Sequence, residues 1–387
     1  MPAKDLAVWQ IGFRPFFLGA AFWAAASMLV WLGIVDLGWS FNLNGLPPIY
    51  WHAHEMVFGY CLAVIAGFLL TAVPNWTNSP PVSGLLLFSI FACWFTARLS
   101  SVFAGNAGMV FTAFADLAFS FGLMVAIATP IIKRKQYRQA GILIKILLMA
   151  LANLAFYLGA AGQLENGIHY GLYAAFYLIV ALILTIARRV FPMFIQNGLR
   201  LSEPLRNRRW VDISSIIVFL VFWILEILRL SPVASAWVAL VLLIIHSFRL
   251  YDWYAPTMWS KPLVWVLYVA YASIVLGFAL KAANLVGVMI APILVLHMFA
   301  IGGVGLLTCG MMSRVTLGHT GRNVRQPTPW LTAVFVGIAI SALCRVVLPI
   351  AAPQYYLLSV TLSKLFWIAG FSGFLFLYTP MLIKPRI

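Results

Sequence analysis

Charge is what this chain of 387 residues has least of, with 9% of its residues charged and only nine acids. Average soluble domains carry about a quarter charged residues. So little polar surface excludes a water-soluble globular protein of this length, and 64% hydrophobic residues point to a polytopic membrane protein. Lipid offers no hydrogen-bond partners, so the spans must be helices or a closed barrel. Apolar runs of about 20 residues without strict alternation select helices. Cysteine is scarce as well: Cys61, Cys93, Cys309 and Cys344 are scattered through apolar runs. No CxxC or CxxCH occurs, which excludes a covalently attached c-type haem and a zinc ribbon; buried thiols are the plain reading. A cleavable signal pattern is missing before the first apolar run, so the first helix is expected to be retained.

With so few acids the formal net charge reaches +16, which invites a nucleic-acid reading. Where the charges fall argues against it. Hydropathy predicts twelve spans near 16–36, 50–74, 84–104, 108–130, 141–162, 168–187, 211–230, 233–251, 262–283, 288–312, 329–350 and 355–380. Twenty of the 25 basic residues then fall on one side, among them Lys4, Arg14, the KRKQYR cluster, Arg188, Arg189, Arg314, Arg322 and Arg386. Only Arg98, Arg229, Lys281, Arg345 and Lys364 fall on the other. The positive-inside rule accounts for this split, placing both termini in the cytoplasm and requiring no nucleic acid. The expected fold is an all-α bundle of about twelve transmembrane helices, forming one domain over residues 1–387. The polar stretch 196–210 marks a possible six-plus-six division, but no repeat is evident between the halves. Trp51, Trp76, Trp210, Trp253 and Trp259 near predicted span ends are expected to anchor at the lipid interface.

Six histidines are present, and ionisable groups inside a membrane are functional candidates by default. Residues 51–60, WHAHEMVFGY, put two of them beside a carboxylate and a thioether. In a helix His52, Glu55 and Met56 share a face, while His54 lies about 200° around. The stretch therefore offers one or two separate imidazole sites near the outer end of the second span. His297 opens HMFAIGGVG in the outer half of the tenth span. Imidazole suits iron, copper and zinc, and thioether adds a preference for Cu(I). A haem within a bundle needs axial histidines and small residues beside the ring. His54 and His297 are the best axial pair, with Gly302 and Gly303 as the small residues. Plain helix packing explains the glycines equally well. His169 opens the sixth span, His246 lies in the inner part of the eighth, and His319 is predicted in a cytoplasmic loop. Asp116 has no evident partner and suggests a proton relay. Glu226 is expected to pair with Arg229. Arg188 and Arg189, followed by Pro192, are expected to end the sixth helix.

GFRPFFLGAA (12–21), WHAHEMVFGY with GFLLTAVPNWT (67–77), RRVFPMF (188–194) and HMFAIGGVGLLTCGMMSRVTLGHTGR (297–322) together resemble the NnrS family over essentially the whole chain. The resemblance implies a twelve-helix bacterial inner-membrane protein containing haem, expected as haem b, and copper. It also implies an association with denitrification, nitrosative stress and nitric oxide. Metal-binding roles would fall on His52, His54, His297 and His319, beside the Met56 thioether already singled out as a candidate metal donor. Haem–copper oxidases also use twelve helices, but this chain has no adjacent His-His pair and too few inward histidines for their binuclear centre. Two readings follow. One is a haem protein that binds or processes nitric oxide, with membrane lipids around it and an electron donor the sequence does not name. The other is a secondary transporter or channel without a redox cofactor, for which twelve helices are also common.

Overall fold

A computed structural model describes residues 6–105 and 108–387; Lys4 lies outside the described residues. No strand occurs among them. Twelve helices are long and apolar enough to cross a membrane: α1 Phe13–Asp36, α2 Pro48–Thr77, α3 Gly84–Phe103, α4 Gly108–Lys133, α5 Tyr137–Ala160, α6 Gly167–Leu199, α7 Arg209–Leu228, α8 Pro232–Trp253, α9 Pro262–Val286, α10 Pro292–His319, α11 Trp330–Ala351 and α12 Pro353–Ile383. The chain is a multi-pass helical membrane protein. Proline opens α2, α8, α9, α10 and α12, where its missing N–H costs nothing and its fixed φ suits the first turn. Ser231 adds a cap to α8, its hydroxyl accepting from the Ala234 N–H at 3.2 Å. Large apolar side chains such as Phe114, Phe121, Ile217 and Phe376 are exposed along these helices, as lipid contact requires.

Two boundaries differ from the sequence reading. Arg188, Arg189 and Pro192 do not end the sixth helix; α6 runs on to Leu199, with Pro192 inside it. It stops where Arg200 takes a left-handed φ of 55°. A proline inside a membrane helix is tolerated when neighbouring groups satisfy the freed carbonyl. His319 is not in a loop but is the last residue of α10.

Three spans contain a wide π-helical turn: Glu55–Cys61 in α2, Met298–Gly305 in α10 and Leu343–Val347 in α11. In α2 the turn follows Pro48–His54 and precedes Leu62–Thr77. In α10 it follows Pro292–His297 and precedes Leu306–His319. The same helix, wide turn and helix thus recur eight spans apart, each time with a histidine as the last residue before the turn. Such turns are rare and concentrate at functional sites. The second, sixth and tenth spans are also the most enclosed by protein.

The helices group into two compact units. One holds the described part of Met1–Leu178 with Val315–Arg322 and Phe371–Ile387; the other holds Ile179–Arg314 and Asn323–Gly370. In the first, α3 packs along α4, α1 along the Leu62–Thr77 part of α2, and α5 against α4. The chain's end is tied to its beginning here: the Arg14 guanidinium donates to the carbonyls of Met381, Leu382 and Lys384 at 3.2, 2.9 and 2.6 Å. In the second, α8 packs between α7 and α9, and α9 lies against the wide turn of α10.

Candidate functional site

The first unit buries a charge cluster drawn from five helices. The wide turn of α2 begins at Glu55, whose side chain is fully buried. Its Oε2 accepts from Trp23 Nε1 of α1 at 2.7 Å and from Arg98 Nη1 of α3 at 2.6 Å. The other guanidinium nitrogen of Arg98, Nη2, lies 2.6 Å from Asp116 Oδ1 of α4. Asp116 Oδ2 accepts from Asn153 Nδ2 and from the Tyr157 hydroxyl of α5, each at 3.1 Å. His54 stands between the two acids: Nδ1 is 3.1 Å from Glu55 Oε1, and Nε2 is 3.0 Å from Asn153 Oδ1 and 3.5 Å from Asp116 Oδ2. The Asn153 amide donates to Asp116, so its oxygen faces His54, and both ring nitrogens of His54 meet acceptors. A Cβ on Gly59 would come within 2.9 Å of Trp23, Arg98 and Glu55, so only glycine leaves room for this arrangement.

The cluster revises one expectation. Asp116 is not isolated; it is held by Arg98, Asn153, Tyr157 and His54. The residue that sequence reasoning missed is Arg98, whose only signal was its place among five basic residues on the sparsely charged side. Glu226 pairs with Lys281 of α9 at 2.6 Å, with Ser235 also donating to that carboxylate. Arg229 caps α7 with a left-handed φ of 50° and is exposed.

His297 belongs to the second unit and is half-buried. Its Nδ1 lies 2.7 Å from the carbonyl oxygen of Ile293, one turn back in α10. A carbonyl only accepts, so Nδ1 holds the proton. Metal-ligating histidines are oriented in this way, and the donor chemistry of His297 fits an iron or copper ligand. His54 is engaged by Glu55, Asn153 and Asp116 within the buried cluster. The glycines after His297 are closed by protein: a Cβ on Gly302 would meet Ser273, one on Gly303 would meet Ile274, and one on Gly305 would meet Trp367. Their smallness here lets neighbouring helices approach.

The remaining candidates are dispersed. His52 is half-buried and stacks on Trp31, with centroids 4.6 Å apart, and Met56 is half-buried one turn on. His319 lies against Phe13 at 5.5 Å, and His169 against Tyr173 at 4.3 Å. Among the described residues no three His, Cys, Asp or Glu side chains converge as a metal site. His246 belongs to a network the sequence reading left open. Its Nδ1 lies 2.7 Å from the Tyr271 hydroxyl, which accepts from Arg249 Nη1 at 3.0 Å. Arg249 Nη2 donates to Asp212 at 2.7 Å, and Arg188 pairs with the same acid at 3.4 Å.

A family model matches nearly the whole chain. The model described as NnrS protein aligns with residues 7–386. The chain belongs to the NnrS family. Comparison with curated proteins gives no match. The match spans both units and includes His54, Arg98, Asp116, His297 and Arg345.

Proposed function

We propose that this NnrS-family protein binds haem in the bacterial inner membrane and responds to nitric oxide, either by binding it or by processing it. The observation that carries the reading is the His297 hydrogen bond to Ile293 at the head of a wide turn, the kind of contact that orients metal-ligating histidines. His297 would hold the haem iron, which would supply the site at which nitric oxide binds. Of the pair expected from sequence, His297 is the residue proposed to hold the iron. His54 lies between Glu55 and Asp116 in the buried cluster. The imidazole of His52 and the thioether of Met56 would be the donors for copper, a set that favours Cu(I). Exclusion of water from the Glu55–Arg98–Asp116 cluster keeps its ion pairs strong and holds α1 to α5 in one arrangement.

The test is a reduced-minus-oxidised absorption spectrum of the purified chain, followed by addition of nitric oxide to the reduced form. A b-type spectrum that shifts with nitric oxide is expected. A featureless spectrum, unchanged by nitric oxide, overturns the reading. The transporter reading would then take its place, favoured by the buried acids and guanidinium shared among five helices.

A further inference from the structure

Lys133, Arg134, Lys135 and Arg138 stand together where α4 ends and α5 begins, in the first unit. All four are exposed, and none makes an ion pair among the described residues. The described acids of this unit lie elsewhere. Successive spans alternate in direction, so Asp36 at the end of α1 and Glu165 after α5 lie at the opposite end of the unit. Glu55 and Asp116 belong to the buried cluster with Arg98. The second unit differs: there Asp212 pairs with Arg188 and Arg249, and Asp252 with Arg208. The positive-inside rule calls for an excess of cations on one side. It does not call for four of them within six positions and no acid among them. Like charges so close repel one another, and an anion from outside the chain relieves that repulsion.

The surroundings identify that anion. Only three residues connect α4 to α5, so the cations cannot stand away from the bilayer surface. Ile132, Tyr137 and Ile144 flank them with 60%, 67% and 56% of their surface exposed, which sets lipid chains alongside. Tyrosine favours the headgroup level. Arg134 Nη2 lies 3.4 Å from the carbonyl oxygen of Asn78, at the end of α2 and two residues after Trp76, a second aromatic suited to that level. The anion available at this depth is the phosphate of a phospholipid, and basic clusters beside a membrane helix attract anionic lipids. We infer that Lys133, Arg134, Lys135 and Arg138 hold the headgroup of an anionic phospholipid at the α4–α5 end of the first unit. A zwitterionic headgroup brings its own cation to compete for the phosphate, so the cluster selects a lipid of net negative charge. This inference is independent of the haem reading.

The experiment titrates the full-length chain, purified in a neutral detergent, with phosphatidylglycerol and phosphatidylcholine of the same acyl chains, and counts bound lipid by native mass spectrometry. The wild type is expected to bind phosphatidylglycerol at least about tenfold more tightly, and added salt is expected to shrink the preference. A variant carrying Lys133→Gln, Arg134→Gln, Lys135→Gln and Arg138→Gln is expected to bind the two lipids within about twofold of each other. A control carrying Arg189→Gln, Arg200→Gln, Arg206→Gln and Arg209→Gln removes the same charge from exposed positions of the second unit and is expected to keep the preference. Where the first variant does not fold, Lys133→Gln with Lys135→Gln replaces it and is expected to lose part of the preference. Equal wild-type affinity for the two lipids overturns the inference, and is the result expected if the cluster instead serves an acidic protein. An undiminished preference in the first variant or its replacement overturns it too. Equal loss in the two fourfold variants does the same, because the attraction would then belong to the whole basic surface.

Discussion

A histidine motif legible in sequence became two different things once its partners were in place. His52 and His54 lie two residues apart, and helix geometry already separated their directions. What the sequence could not supply was the register of α3, α4 and α5, which brings Arg98, Asp116 and Asn153 to His54. Arg98 looked like one more cation because its acids lie on other helices, 43 and 18 positions away. Removing one member of a buried ion-pair network leaves the others uncompensated, at about 3–5 kcal/mol. Arg98→Ala is therefore expected to lower the thermal midpoint of the detergent-solubilised protein steeply, more than Arg229→Ala, which alters an exposed side chain. Equal midpoints would show that the cluster contributes little. His54→Ala is expected to destabilise as well, yet to leave any haem spectrum intact, since that ring is engaged by Glu55, Asn153 and Asp116. Loss of haem from a folded His54→Ala variant would restore His54 as a ligand.

At the scale of the element, twelve apolar runs were plain from hydropathy, while the three wide turns were not. A wide turn changes neither the apolar content nor the small-residue content of its helix. EMVFGYC and MFAIGGVG read as ordinary membrane helix until the backbone is seen. Comparison of halves also missed the repeated element, because it recurs between the second and tenth spans. The glycines in these turns serve close approach. Gly302→Ala would push a methyl against Ser273, and overpacking of this kind costs about 1–3 kcal/mol. Reduced thermal stability with an unchanged ligand spectrum is the expected outcome. A stable Gly302→Ala protein that has lost its ligand would mean that the glycine face meets a macrocycle after all. The extension of α6 past Pro192 shows the limit of the proline signal: it marks a lost hydrogen bond, and whether the helix ends depends on neighbours outside the local sequence.

For the whole molecule, composition alone led to the membrane and to helices, because lipid leaves few alternatives. Family membership then follows from motifs distributed along nearly the full length. The charge split further predicts that both termini face the cytoplasm. A green fluorescent protein fused after Ile387 is expected to fluoresce, and alkaline phosphatase at the same point to be inactive; the reverse pattern would invert the topology. Chemistry was less legible than topology, since ligand sites depend on which nitrogen of each histidine carries its proton, and that is set by partners such as the Ile293 carbonyl. The central claim is that His297 is the protein ligand of a haem iron. Its most direct test is the haem spectrum of His297→Ala purified with and without added imidazole. The predicted result is loss of the haem band without imidazole and its return with it; a normal spectrum in the variant without imidazole would contradict the claim.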